Sequence, residues 1–159
     1  MAKEAVSFFW FRRDLRLEDN LGLFQALQSQ HPVIPLFIFD ETILERLPNN
    51  DPRVGFIHES LEAINTKLLE FGTSLLVKKG KPSEVWESLL NDYNIQEVYW
   101  NKDYEPNAMQ RDAAVTDILQ SNGIGVATYK DQVIFEKKEI LTNSNTVFSI
   151  FTPYKNNWL

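Results

Sequence analysis

The sequence predicts an α/β domain: a doubly wound sheet of five parallel strands with helices on both faces. The first observation is that five short apolar runs alternate with longer segments of helical period, joined by mostly short connections. The second is that the first two runs are almost continuously apolar, which is typical of strands buried on both faces. This alternation calls for parallel strands linked by right-handed crossovers. A chain of 159 residues is long enough for one such domain with a real core.

Each predicted strand is a short apolar run bounded by turn-forming or charged residues. The first run ends where the apolar letters FFWF give way to the charged letters RRD, with no glycine or proline between them. We expect strands at Ala5–Phe11, Val33–Phe39, Ser74–Val77, Glu97–Asn101 and Gly125–Tyr129.

The first two helices have recognisable start and stop signals. Asp19 or Asn20 is suited to cap a helix over Leu21–Gln28, because a short polar side chain can accept a hydrogen bond from a free N–H of the first turn. The Asp51–Pro52 pair begins a second helix, and Gly72 lies where the end of that helix requires a left-handed residue.

The third and fourth helices follow the same logic. Pro82 begins the third helix, and Asn107 begins the fourth, which stops near Gly123. The longest irregular stretch is 40–50, which we expect to be a loop with a special role. No internal repeat interrupts this order of elements.

The last residues differ in character from the domain before them. Residues 136–159 carry large apolar side chains that a small domain would have difficulty covering, namely Phe148, Phe151, Tyr154, Trp158 and Leu159. We interpret 1–135 as the domain and 136–159 as the start of a linker to a further part of the natural chain. A C-terminal strap that packs on its own domain is the alternative.

The composition excludes several functions. Acidic residues exceed basic residues by six charges, so the segment lacks the broad positive field with which proteins bind nucleic-acid backbones, and any DNA contact must be local or made elsewhere. Without cysteine, disulfides, thiolate catalysis and zinc–thiolate sites are excluded. His31 and His58 are not at a metal-ligand spacing, so we expect no metal site. With no apolar run near the roughly 20 residues of a membrane span and no secretory leader, we expect a cytoplasmic protein.

The common catalytic and phosphate-binding motifs are missing. The six glycines form neither GxGxxG nor a P-loop, so the sequence has no phosphate cradle of the usual dinucleotide kind. Neither a Ser–His–Asp ordering nor a GxSxG elbow supplies a nucleophile. We therefore expect no catalytic residue in this chain, which is better suited to binding than to catalysis.

Two charged segments are predicted to face each other at the carboxyl edge of the sheet. In a Rossmann-like order the first and fourth strands are adjacent where the order reverses, and ligands bind in the crevice outside their carboxyl ends. The residues delivered there are Arg12, Arg13 and Asp14 from the first strand, and Asn101, Asp103 and Glu105 from the fourth. These groups either contact a ligand or pair with one another as buried structural ion pairs.

Three stretches of the sequence resemble one known family. The letters FWFRRDLRLEDNLGL resemble the opening of the DNA photolyase and cryptochrome family, and VYWNKDYEPNAMQRD and VFSIFTPYKNNWL resemble two later stretches of the same N-terminal domain, in the same order. The resemblance implies an antenna domain, which binds a light-harvesting pigment at the carboxyl edge of its sheet and passes excitation to a flavin. In the family, flavin adenine dinucleotide (FAD), the substrate pocket and the electron-transfer tryptophans belong to a following helical domain, to which 136–159 would lead.

The resemblance also implies which residues contact the pigment. Arg12 and Arg13 match the RRDLR turn, whose second arginine lies beside the pigment in deazaflavin-type members. Phe37 and Ile38 match the strand end that flanks the pigment. The remaining matches are polar: Asp103, Glu105 and, where folate-type members have an asparagine, Asn107. Ala108 replaces the adjacent glutamate of that type, so 8-hydroxy-5-deazaflavin or a flavin is expected rather than methenyltetrahydrofolate.

Several nearby residues have structural interpretations instead. Trp10, Trp86 and Trp100 each lie within a strand or on the apolar stripe of a helix, so we expect them in the core. We interpret four further residues as turn and cap residues: Asp14, Arg16, Asp19 and Asn20.

The leading interpretation is the N-terminal light-harvesting domain of a deoxyribodipyrimidine photo-lyase, which uses light to split cyclobutane pyrimidine dimers in DNA. The resemblance implies a carbon–carbon lyase only for the full-length protein, which would contact damaged DNA through its own helical domain. One alternative is a cryptochrome-type blue-light photoreceptor without lyase activity. The other is a stand-alone nucleotide-binding α/β module, which would need glycine or serine contacts to phosphate that the sequence does not offer.

Overall fold

The computed structural model describes residues 3–136 and 138–159, and it confirms the predicted α/β fold class. Its strands are β1 (Ala5–Phe11), β2 (Val33–Asp40), β3 (Leu76–Gly80), β4 (Asn94–Asn101) and β5 (Gly125–Tyr129). Its helices are α1 (Leu21–Leu27), α2 (Glu41–Leu44), α3 (Pro52–Glu70), α4 (Pro82–Asp92), α5 (Pro106–Ser121) and α6 (Phe151–Trp158). All paired strands are parallel, in the order β3-β2-β1-β4-β5. The order therefore reverses between β1 and β4, where the crevice is predicted.

Local signals correctly identified most helix ends. Asn20, and not Asp19, is the N-cap of α1, and its Oδ1 accepts a hydrogen bond from the Leu23 N–H at 3.1 Å. Asp51 caps α3 in the same way, through the Arg53 N–H at 2.9 Å. Gly72 follows α3 with a φ of 75°, the left-handed conformation that glycine adopts at low cost.

Three strands differ from their predicted bounds because of pairing within the sheet, and β2 ends at Asp40, one residue later than predicted. β3 begins two residues later than predicted and runs through Lys78 and Lys79, because its backbone pairs with β2 as far as Asp40 opposite Gly80. Charged residues are common on an edge strand, and a search for apolar runs misses them. β4 begins at Asn94 rather than at residue 97, because its first residues pair with the start of β1.

Two short helices lie outside the sequence prediction. Part of the stretch 40–50 forms α2, a single turn capped by Asp40, whose carboxylate accepts from the Thr42 N–H at 2.9 Å. Part of the tail forms α6. Helix α5 also begins at Pro106, one residue before the predicted start.

Two hydrophobic clusters cover the two faces of the sheet. On one face α4 and α5 pack on the sheet, in a cluster that contains Trp10 and Trp100 of the sheet and Trp86 of α4; these three are at most 2% exposed, so their predicted core role is confirmed. The Trp10 ring makes edge-to-face contacts with the other two, with centroids 5.8 and 5.6 Å away. On the other face α1 and α3 pack over Phe9 and Phe11. The two layers hold the ends of β1 and β4 in place beneath the loops that follow them.

The aromatic side chains of the tail contact one another. The ring centroid of Tyr154 lies 6.0 Å from that of Phe148 and 6.2 Å from that of Trp158. Trp158 also contacts Phe135, with centroids 6.5 Å apart. The outer face of this segment stays apolar and exposed, at 65% for Ile150, 68% for Phe151 and 89% for Leu159.

Candidate ligand-binding crevice

The two charged segments meet at the carboxyl ends of β1 and β4. The Nε of Arg13 lies 3.2 Å from Oδ2 of Asp103, and its Nη2 lies 2.5 Å from Oε2 of Glu105. Arg13 and Asp103 are 90 positions apart in the chain, and they meet because the strand order places β1 beside β4. The fold thus brings an arginine of the loop after β1 to the carboxylates of the loop after β4, as predicted.

The three groups differ in their access to solvent. The side chain of Asp103 is 5% exposed, whereas those of Arg13 and Glu105 are 54% and 61% exposed. An exposed ion pair contributes only about 0–1 kcal/mol, so the Arg13 guanidinium can exchange Glu105 for a ligand at little cost. Asp103 is buried, and its Oδ1 accepts a hydrogen bond from the Glu105 N–H at 3.3 Å. This edge of the sheet therefore presents an accessible cation, Arg13, beside a buried carboxylate.

Arg12 points into the protein and does not share the position of Arg13. Its side chain is 5% exposed and binds Asp112 of α5 together with the backbone oxygen of Asn101. The guanidinium also lies over the rings of Trp10 and Trp100, at 5.3 and 5.9 Å from their centroids. Burial lowers the pKa of Arg12 from its ordinary value, and the Asp112 carboxylate opposes this effect. Arg12 thus forms the structural ion pair that was the alternative to ligand contact, with Asp112 as the partner.

Asp14 does not pair with Arg13. Its carboxylate accepts hydrogen bonds from the Arg12 backbone N–H at 3.0 Å and from the Asn101 Nδ2 at 2.6 Å. The Asn101 side chain also makes its hydrogen bonds inside the protein. The structure therefore divides the charged residues into an internal set and the exposed set around Arg13.

Phe37 and Ile38 lie at the end of β2 and are each only 6% exposed. As consecutive strand residues they point to opposite faces. Phe37 packs in the cluster with α1 and α3, and Ile38 in the cluster with α4 and α5. Both side chains are packed in the core and leave little surface for a ligand.

Asn107 and Ala108 lie in the first turn of α5. Asn107 is exposed, and Ala108 is 8% exposed, facing the interior. A glutamate at position 108 would have to bury its carboxylate or displace the helix, which is costly without a partner. The local packing therefore suits the alanine found here.

A cavity of about 340 Å³ opens at the same edge of the sheet, between β4, β5 and α5. Its lining is Trp100, Met109, Ala113, Thr116 and Thr128, with Lys102, Asp103, Tyr104, Asp112 and Glu136 among the polar residues. Of the predicted pigment contacts, only Asp103 borders this cavity. Lys102 and Tyr104 are sequence neighbours of the predicted contacts Asp103 and Glu105, so the sequence could have placed them at this edge of the sheet. The position of Glu136 could not have been predicted, because no pattern in the tail indicates it.

Glu136 is hydrogen-bonded to two other residues that line this cavity. Its carboxylate accepts from the Lys102 Nζ at 2.8 Å and from the Tyr104 Oη at 3.1 Å. The hydrogen bond from Lys102 lowers the pKa of Glu136. Burial, followed by the hydrogen bond to Glu136, raises the pKa of Tyr104 to about 12. The phenol thus remains a neutral hydrogen-bond donor at physiological pH.

Over residues 3–136 and 138–159, no group of three or more histidine, aspartate or glutamate side chains is arranged to bind a metal ion. His58 is exposed on α3, with Nδ1 3.6 Å from Oε1 of Glu62. Within the same ranges, no helix is long and apolar enough to cross a membrane.

Comparison with known proteins gives a consistent result. The family model described as DNA photolyase matches residues 7–159. A deoxyribodipyrimidine photo-lyase of Halobacterium salinarum is 35% identical over an alignment of 162 residues, which covers 96% of this chain and 33% of that protein. Cryptochrome-1 of Arabidopsis thaliana is 31% identical, over 93% of this chain and 22% of the relative.

Solved structures agree with the sequence relatives. A bacterial class III photolyase from Agrobacterium tumefaciens matches with a TM-score of 0.83 and 30% identity, over 96% of this chain and 31% of that one. An archaeal photolyase from Sulfolobus tokodaii, described with two FAD molecules that imply a novel light-harvesting cofactor, matches with a TM-score of 0.75 and 34% identity, over 86% of this chain and 32% of that one.

The chain spans about a third of the length of the photolyase relatives that it matches. The match begins within β1 and continues through α6, so it includes both loops of the crevice. The family match over residues 7–159, the 35% identity to a photo-lyase and the TM-score of 0.83 to a solved photolyase together show that this chain belongs to the DNA photolyase and cryptochrome family, as its N-terminal α/β domain.

Proposed function

We propose that this chain is the light-harvesting N-terminal domain of a deoxyribodipyrimidine photo-lyase and binds an antenna pigment in the crevice between β1 and β4. The observation that carries the proposal is the position of Arg13, an accessible cation held against Asp103 and Glu105 at the carboxyl edge of the sheet. A flat chromophore with polar edge groups needs apolar contact and a few directed polar partners. The exposed guanidinium and the carboxylates supply the polar partners, and the family resemblance implies Phe37 and Ile38 as the apolar neighbours, with only 6% of each exposed.

The pigment we expect is 8-hydroxy-5-deazaflavin or a flavin. Both carry a planar ring system with anionic or hydrogen-bonding edge atoms that suit a guanidinium. The interior position of Ala108 supports this choice over methenyltetrahydrofolate, because the glutamate of folate-type members has no counterpart beside Asn107. The Sulfolobus tokodaii relative, described with a light-harvesting cofactor, lends further support.

The lyase reaction belongs, in this proposal, to the whole protein. A helical domain that follows the chain would bind FAD and the damaged DNA, and this domain would transfer excitation energy to it. The net charge of −6 supports the assignment of DNA binding elsewhere. The exposed apolar side chains of Ile150, Phe151 and Leu159 support a contact with such a domain.

Absorption spectroscopy of the purified chain tests the pigment site. We expect a red-shifted band and saturable binding with 8-hydroxy-5-deazaflavin or flavin mononucleotide, and none with methenyltetrahydrofolate. Arg13→Ala removes the accessible cation and should weaken binding about tenfold, the size of one charge-assisted hydrogen bond. Lys81→Ala is a matched control, because it removes another exposed, ion-paired cation, 57% exposed and next to Glu84. Equal affinities for the wild type and the Arg13 variant would contradict the proposed site.

A cryptochrome-type photoreceptor is the second candidate, favoured by the similarity to Arabidopsis thaliana cryptochrome-1. The crevice serves either function, since the difference lies in the reaction at the flavin. Illumination of the whole protein with DNA that contains a cyclobutane pyrimidine dimer separates the two. Repair of the dimer supports the lyase, and flavin photoreduction without repair supports the photoreceptor.

A further inference from the structure

The side chain of Asn101 is the centre of a buried polar network at the end of β4. The residue is 2% exposed. Its Nδ2 donates to Oδ2 of Asp14 at 2.6 Å and to Oδ1 of Asn20 at 2.8 Å, and its Oδ1 accepts from the Gly22 N–H at 3.0 Å. Both amide donors are therefore used inside the protein. Burial also keeps this side chain out of reach of a ligand in the crevice.

The three partners of the Asn101 amide all lie between the end of β1 and the first turn of α1. Asp14 accepts from the Arg12 backbone N–H through its second oxygen, and Asn20 caps α1. The backbone is thus held on both sides of Arg13 and again where α1 begins.

Gly22 shows how closely α1 approaches Asn101. A Cβ at position 22 would lie 2.5 Å from Oδ1 of Asn101 and 3.0 Å from the ring of Phe9. Glycine within a helix is less favourable than alanine. The absence of a side chain at position 22 is therefore explained by this approach, which any larger residue would prevent.

The ion pair of Arg13 is too exposed to hold the two loops together by itself. Its side chain is 54% exposed, so water screens the attraction to Asp103. The bond from Asn101 to the Asp14 carboxylate is buried and charge-assisted, which makes it the stronger connection. Asp14 directly follows Arg13, and Asp103 is two residues after Asn101. The buried bond therefore sets the spacing of the exposed pair.

We propose that Asn101 is a positioning residue of the crevice, which fixes the segment between β1 and α1 through Asp14 and Gly22 and so keeps Arg13 beside Asp103. This positioning role rests on the proposed function in one respect, which is that Arg13 contacts the pigment. The placement of Arg13 can be measured without any pigment, so the two proposals can fail separately.

The variant Asn101→Asp tests the proposal. It places a carboxyl group against the Asp14 carboxylate, and the nearest cation is Arg12, at the backbone oxygen of residue 101. Two ionised carboxylates repel, whereas a shared proton lets one donate to the other and restores the connection. We expect Arg13 to be in place at about pH 5 and displaced at about pH 8, because one carboxyl of such a pair has a raised pKa.

The pigment-free measurement is the ¹⁵N NMR shift of the Arg13 Nε, recorded through carbon-bound protons so that exchange of the N–H with water does not remove the signal, and the response of this shift to Asp103→Asn. In the wild type the response should be present at both pH values, and in Asn101→Asp only at the lower one. Asn49→Asp adds the same charge at an exposed position and should behave as the wild type. A full response in Asn101→Asp at the higher pH overturns the proposal.

Pigment affinity provides the second measurement. We expect Asn101→Asp to bind at least tenfold more weakly than the wild type at the higher pH and to recover at the lower pH. If this variant binds as the wild type does at both pH values while Arg13→Ala binds weakly, Asn101 does not position Arg13. If the response of the Arg13 Nε shift follows the expectation but the wild type binds no pigment, the positioning role stands and the proposed function fails.

A second variant covers the case in which Asn101→Asp does not fold at either pH. Gly22→Ala pushes a methyl group against the Asn101 oxygen and leaves every polar group present. We expect it to reduce the response of the Arg13 signal to Asp103→Asn at least twofold. An unchanged response in a folded Gly22→Ala protein overturns the proposal.

Discussion

The guanidinium of Arg12 lies 5.3 Å from the centroid of the Trp10 ring and pairs with the carboxylate of Asp112 on α5. Its neighbour Arg13 contacts Asp103 and is about eleven times more exposed, at 54% against 5% for the side chain. Two adjacent arginines of one motif therefore differ in role. Arg12 connects the sheet to α5, and Arg13 is left for a ligand.

Asp112→Ala should destabilise the domain strongly. The change leaves the buried Arg12 guanidinium without its carboxylate, and breaking a buried ion pair from one side costs about 3–5 kcal/mol, or about 2–4 kcal/mol here because Asp112 is 15% exposed. Urea unfolding followed by circular dichroism measures the loss. Asp117→Ala on the exposed face of α5 is the control and should change the free energy of unfolding by less than about 0.5 kcal/mol. A loss below about 1 kcal/mol in Asp112→Ala would show that Arg12 does not need this partner.

The same substitution at two glycines should have opposite effects. Gly22→Ala places a Cβ 2.5 Å from Oδ1 of Asn101 and should cost about 1–3 kcal/mol. Gly55→Ala, within α3, meets no atom within 4 Å and should stabilise by about 0.5–1 kcal/mol, because alanine favours the helix. Thermal unfolding of the two variants gives the comparison. A stabilised Gly22→Ala protein would mean that α1 can move away from Asn101 freely.

The ionisation of Tyr104 should depend on Glu136. The pKa of Tyr104 is raised to about 12, first by burial and then by the hydrogen bond to the carboxylate. Glu136→Gln removes the negative charge and should lower this pKa, but not to the ordinary value of 10, because burial remains. The difference in tyrosinate absorbance between each protein and its Tyr104→Phe variant isolates this group during an alkaline titration.

This shift also has a consequence for stability at high pH. The folded pKa exceeds the unfolded value, so the contribution is present below pH 10 and disappears as the pH rises towards about 12. The wild type should therefore lose more stability across this window than Tyr104→Phe does. Equal losses in the two proteins would show that Tyr104 is not held in its neutral form by the fold.

Much of the fold could be predicted because its signals are local. The bounds of β1 and β5 match their apolar runs, and Asp51 and Gly72 mark the ends of α3 through capping and backbone conformation. β3 was less well predicted, since pairing with β2 carries it through two lysines. The hydrogen bonds that extend a strand depend on its neighbour in the sheet, so the amino acids of the strand itself do not reveal them.

The candidate site was predictable only in its general location. The order of strands and helices placed the loops after β1 and β4 at one edge, which brings Arg13 to Asp103. It did not distinguish Arg12 from Arg13, nor show that the amide of Asn101 is used internally. Glu136 was missed altogether, because nothing in its segment indicates that the tail returns to Lys102.

By itself the sequence determined the alternation of strands and helices, the caps, the family and the edge of the sheet where charged residues gather. The tertiary structure decided which of those charges are buried and paired, and which remain accessible. The reason is physical. A backbone pattern depends on neighbours along the chain, whereas the energy of a charge depends on the solvent and partners within a few ångströms, which only the folded arrangement of distant segments provides.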